Sequence, residues 1–143
     1  MTEEVKEVDI SLESLMAPSR TVTIDYPGFD GFTVDLCYLA REDLVKIRKK
    51  CVSSKYDKKT KRMEEVLDED KFLTEYCKSI IKGWKGFKFQ YLEELLLVEH
   101  NHKPDQLWKY TEKNAELLMK NSTDFDTWVS ETVGELENFT GNK

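Results

Sequence analysis

Glu99, His100 and His102 stand together in "EHNH". Histidines two residues apart can share a metal ion when both project from one face of a strand. The chain has no other histidine, and no further strong ligand lies at a standard spacing, so the expectation is a solvated loop and no metal. Cys37, Cys51 and Cys77 are widely spaced, and no Cys-x-x-Cys occurs. An odd, scattered set argues against a disulfide framework or zinc site and for reduced thiols. Cys77 is expected on an apolar helix face and Cys37 on the polar side of a strand. "PGFDG" and "GWKG" each hold two glycines, but neither has the spacing of a phosphate-cradling loop. With no nucleophile–base pair in view, no catalysis and no cofactor are expected.

Residues 41–62 offer a different chemistry, with ten Lys or Arg against three Asp or Glu. Lys46, Arg48, Lys49, Lys50, Lys55, Lys58, Lys59, Lys61 and Arg62 can neutralise phosphates. Only Tyr56 interleaves as a stacking aromatic, the flanks 1–19 and 111–143 are acidic, and the chain's net charge is −6. A solvated helix face followed by a charged loop is the simpler reading. Pairing with an acidic surface is a third possibility.

The third cluster is aromatic. "SIIKGWKGFKFQYL" places Trp84, Phe87, Phe89 and Tyr91 beside two glycines and three lysines. Trp84 is expected to cap the core where a helix ends, with Gly83 and Gly86 turning the chain around the indole. Phe87, Phe89 and Tyr91 alternate with polar residues, so one face of that segment is expected to be open to a partner. Trp84, Phe87, Phe89, Tyr91 and Trp128 are the candidate partner-binding residues.

The elements that position these residues follow from periodicity. Val22, Ile24 and Tyr26 alternate with polar residues, "PGFDG" is a turn, and Phe32, Val34, Leu36 and Tyr38 alternate again. That pattern predicts a β-hairpin with one apolar face. "AREDLVKIRKKCV" has helical spacing through Leu44, Ile47 or Arg48, and Cys51. Residues 53–66 are polar with little periodicity and read as a loop. Asp68 can cap a helix whose doubled stripe, Phe72, Tyr76, Ile80 and Leu73, Cys77, Ile81, predicts a wide buried face. Gly83 is its expected C-terminal cap. Leu92, Leu95 and Leu96 suit a short helix, and residues 100–110 a loop around Pro104. Thr111 can cap the next helix and Asn121 end it. Thr123 and Asp126 resemble a capping box for a last helix with a stripe through Phe125, Trp128 or Val129, Thr132 or Val133, Leu136 and Phe139.

The fold class expected is α+β, an N-terminal β-hairpin followed by a mainly helical domain of about four helices. The 143 residues suit one domain at 20–140, preceded by a weakly structured acidic segment at 1–19. No apolar run approaches the roughly 20 residues of a spanning helix, and the N-terminus lacks a signal-peptide h-region. The sequons at Asn121 and Asn138 are taken as chance, the first as helix-boundary chemistry.

Three phrases carry a family likeness: "YPGFDGFTVDLCYLAREDLVKIRKKC", "DEDKFLTEYCKSIIKGWKGF" and "YTEKNAELLMKNSTDFDTWVSETVGELENF". Together they resemble the tail assembly chaperones of long-tailed bacteriophages, over residues 20–140. Gly83, Trp84 and Gly86 match that family's Gly-Trp-x-Gly helix end. Tyr110, Asn114, Ala115, Leu117 and Leu118 match its next helix, and Phe125, Trp128 and Phe139 its last. Ala40 stands where a Ser or Thr cap is expected, and 88–108 match loosely. The resemblance implies a non-enzymatic protein of the infected host cytoplasm, absent from the mature virion. Such a protein binds the long helical tape measure protein, keeps it soluble and recruits tail tube subunits, and a longer frameshifted form accompanies it in many phages. Self-association is compatible with this role. The alternative function is a small nucleic-acid-binding regulator using residues 41–62. No membrane partner is expected.

Overall fold

Alternation sets the first elements. In a computed structural model, which describes residues 5–16, 20–135 and 138–140, β1 (Thr21–Asp25) and β2 (Thr33–Cys37) form the expected antiparallel hairpin. Phe32, Val34 and Leu36 are fully buried. Before the hairpin, α1 (Leu12–Leu15) is a single turn that buries nothing.

After the hairpin come α2 (Arg41–Lys50), which buries Ile47, and α3 (Glu69–Ile80), capped as expected by Asp68, whose Oδ1 accepts from the Lys71 amide at 3.1 Å. The Gly83 cap is corrected. α3 stops at Ile80, and β5 (Ile81–Lys85) continues without a loop as a strand against β2. The open edge of β2 takes this strand, giving a three-stranded antiparallel sheet ordered β1-β2-β5. Ile81 and Trp84 are thereby buried in the sheet.

The loop expected at 53–66 is a second hairpin, β3 (Val52–Asp57) with β4 (Arg62–Leu67). Nearly every residue of it is exposed on both faces, so it carries no apolar alternation to read. The Asp68 amide donates to the Cys51 carbonyl at 2.8 Å and closes its base.

The short helix α4 (Phe89–Leu95) matches expectation. The segment around Pro104 is clipped to its start, since the Phe89 amide donates to the Gln106 carbonyl at 2.9 Å and the Trp108 amide to the Phe87 carbonyl at 2.7 Å. Thr111 caps α5 (Glu112–Asn121). The cap of α6 (Thr123–Gly134) is Ser122, which accepts from the Phe125 amide at 3.3 Å, and not Thr123. Ser122 is itself buried, which fixes the tight α5–α6 corner. The last helix ends at Gly134, where Asn138 Nδ2 donates to the Thr132 carbonyl; Leu136 lies outside the described residues.

The chain is therefore mixed α and β with the expected N-terminal hairpin, but six helices are present among the described residues, not about four, with two small antiparallel sheets. α3 and α6 pack on β2, and α5 packs on α3 and α6. The core joins Phe32, Val34 and Leu36 to Ile80, Phe87, Leu118, Phe125 and Val129.

Candidate partner-binding surface

The aromatic residues of 84–91 turn inward. Trp84, Phe87 and Tyr91 are buried. Trp84 Nε1 donates to the Trp108 carbonyl at 3.1 Å, and Tyr91 Oη to the Asp30 carbonyl at 2.6 Å. A buried indole or phenol needs such a partner, and these bonds fix strand and helix to loops 24 and 61 residues away in sequence. Trp84 meets Phe87, Trp108 and Tyr110 with ring centroids 5.0–5.2 Å apart. The expectation that Trp84 caps the core is met. The expectation that Phe87 and Tyr91 offer a free face is corrected, because α4 begins at Phe89 and rotates Tyr91 back onto Phe29 at 4.6 Å. Trp128 is half-buried against Tyr26 at 4.7 Å and stands apart from the Trp84 group.

Phe89 has its own environment. It is half-buried between His100 and His102, at centroid distances of 4.9 and 4.6 Å. His100 Nδ1 accepts from the His102 amide at 3.1 Å, which leaves Nε2 to donate to Glu93 Oε1 at 2.7 Å. His102 Nδ1 faces Gln106 Oε1. Both imidazoles thus clip the Pro104 segment to α4, and Glu99 joins neither. No group of three or more potential metal ligands occurs among the described residues.

All three cysteines are buried free thiols. Cys37 is buried too, against the expectation of a polar strand face, although it stands outside the main core cluster. Burial pushes the Cys77 thiol up to about 12, and the carboxylates of Glu116 and Asp126 add to the rise. A thiol so displaced is inert as a nucleophile near neutral pH.

Two open surfaces among the described residues bear first on partner binding. The first is an apolar groove of about 450 Å³ between the end of α4 and α5. Leu92, Trp108 and Leu118 line its deeper part; Leu96, Leu97, Val98, Leu117 and Asn121 form its walls. Leu97 is fully exposed and Leu117 is 42% exposed. Sequence reasoning missed this groove. The signal was the run Leu95-Leu96-Leu97-Val98, since four consecutive apolar residues at a helix end cannot all face one core.

The second open surface is the β3–β4 hairpin. Lys55 stands opposite Glu64 and Asp57 opposite Arg62 in the ladder register, so acidic residues are interspersed with the basic ones along it. Lys58, Lys59 and Lys61 crowd the tip. There the Lys59 amide, bonded to Asp57 at 2.8 Å, holds the Asp57 carboxyl below the ordinary carboxylate range, helped by Thr60 and Glu64. The basic residues of 41–62 are therefore split between α2 and this hairpin.

No helix among the described residues is long and apolar enough to cross a membrane. No protein-family model matches the chain, and no curated protein or solved structure matches it.

Proposed function

We propose that the chain is a non-enzymatic tail assembly chaperone of a long-tailed bacteriophage. It binds the tape measure protein in the host cytoplasm, keeps it soluble, recruits tail tube subunits and is absent from the mature virion. One observation carries the protein-binding role: the open groove bounded by Leu97 and Leu117. An amphipathic helix laid in such a groove buries its apolar stripe by main-chain-independent packing. Covering an exposed leucine contributes about 1.5–3 kcal/mol, so a few such contacts give weak, repeatable binding along a long helical partner.

The partner's identity comes from the motif resemblance. Its key residues, Gly83, Trp84 and Gly86, are scaffold: Gly83 and Trp84 pair with Asp35 and Val34, and Gly86 turns the chain against Gly31. We therefore assign the matching motif residues to the framework and propose the groove as the binding site. The test is co-expression with the tape measure protein of the same genome. Soluble tape measure co-purifying with the chain is the expected result; an insoluble, unbound tape measure overturns the reading.

A further inference from the structure

Val5, Val8, Ile10, Leu12, Leu15 and Met16 of the N-terminal arm stand between 51% and 91% exposed. Val5, Val8, Leu12 and Leu15 succeed one another at spacings of three, four and three residues, which is the apolar seam of an amphipathic helix. Only Leu12–Leu15 is helical, started by Ser11, whose Oγ accepts from the Glu13 amide at 3.3 Å. A helix this short is marginal in water unless its apolar face is covered. The arm is also acidic: Glu3, Glu4, Glu7, Asp9 and Glu13 stand against Lys6.

A pocket of complementary chemistry lies beside its point of attachment. The Tyr38 amide donates to the Arg20 carbonyl at 3.3 Å. Tyr38 and Leu39, with Ile47, supply the apolar lining of a cleft of about 300 Å³, and Lys46, Lys50 and Lys82 rim it against the single carboxylate of Asp43. The Lys46–Glu42 pair, at 3.9 Å and well exposed, holds Lys46 only weakly. Met16 is four residues from Arg20, a reach of about 13–14 Å. A tether that short keeps the arm at an effective concentration on the order of millimolar.

We propose that the arm Val5–Met16 folds back in cis as an amphipathic helix. Leu12 and Leu15 seat against Tyr38, Leu39 and Ile47, and its carboxylates face Lys46, Lys50 and Lys82. The structure holds the undocked end of this equilibrium. Charge selects this pocket over the groove at Leu97, whose flanking segment carries Glu93, Glu94 and Glu99 and repels an acidic helix. The short tether selects the chain's own arm over that of a second copy.

The experiment is amide hydrogen exchange by NMR on the full chain, at several protein concentrations. It compares the wild type with L12D/L15D and with K46E/K50E/K82E. Wild-type arm amides are expected to exchange about tenfold or more slowly relative to L12D/L15D. K46E/K50E/K82E should lose that protection, and adding E7K/D9K/E13K should restore it, which a general loss of folding does not give. Leu39 and Ile47 resonances should shift between the wild type and L12D/L15D. Equal exchange in all proteins overturns the proposal. So does protection that grows with protein concentration, which puts the arm on a second copy, and so do shifts confined to Leu96–Leu117.

Discussion

Gly86 has φ +72, and a Cβ there would run into the Gly31 carbonyl oxygen. Both the backbone and the neighbour exclude a side chain. Gly86→Ala is expected to destabilise the fold by at least ~1–3 kcal/mol in urea unfolding. Gly134, in α6 with open space around it, is the control: Gly134→Ala should be stabilising by about 0.4–1 kcal/mol through the unfolded chain. Cys77 gives a pH-dependent counterpart. Its thiol rises from the ordinary 9.0 to about 12 because burial disfavours the thiolate. The neutral thiol's contribution is thus complete below pH 9 and is lost as pH climbs from 9 towards 12. Tyr26, Tyr76 and Tyr110 are raised too, first by burial, so the alkaline loss is shared. The stability gap between the wild type and Cys77→Ala should therefore narrow above pH 9, and alkylation of Cys77 at pH 8 should proceed only at the unfolding rate. A constant gap would contradict the burial argument.

Among the elements, the β3–β4 hairpin is the one most detached from the core. Lys61 at its tip adopts φ +55, a region that costs a non-glycine residue roughly 1–2 kcal/mol. Lys61→Gly should leave the thermal midpoint unchanged or raise it, unlike glycine at other strand-flanking positions. The same tip tests the alternative function. The carboxylates opposite Lys55 and Arg62 in the ladder and the chain's net charge of −6 predict negligible DNA retention near physiological salt. Retention with a steep salt slope that collapses in K58E/K59E/K61E would favour the nucleic-acid reading. This hairpin also shows where the sequence was opaque. A strand pair wet on both faces has no period-2 stripe, whereas Val34 and Leu36, dry on one face, were legible at once. The helices are partly legible through their caps: Asp68 and Thr111 are readable, while Ser122 is hidden beside Thr123, a residue of equal capping type. β5 was hidden because Ile80 and Ile81 fit a helix stripe and a strand equally well; the vacant edge of β2, a tertiary fact, decides it.

For the whole molecule, the residues most conspicuous in the sequence proved to be the framework. Trp84, Phe87 and Tyr91 are buried, and their composition announced aromatic surface without saying which way it faced. The groove was less visible, because exposed leucines look like core leucines until the helix end at Leu95 is known. We propose that the groove, and not the aromatic cluster, binds a helical partner. The most direct test is the affinity of the purified chain for the tape measure protein, with Leu97→Asp and Leu117→Asp compared with the wild type. Leu97 is fully exposed, so Leu97→Asp should keep its unfolding free energy within about 0.5 kcal/mol, while Leu117→Asp, at a position 42% exposed within α5, should cost about 1 kcal/mol and leave the fold intact. Each should lose tenfold or more in affinity, about 1.4 kcal/mol. Wild-type affinity in both folded variants would contradict the account.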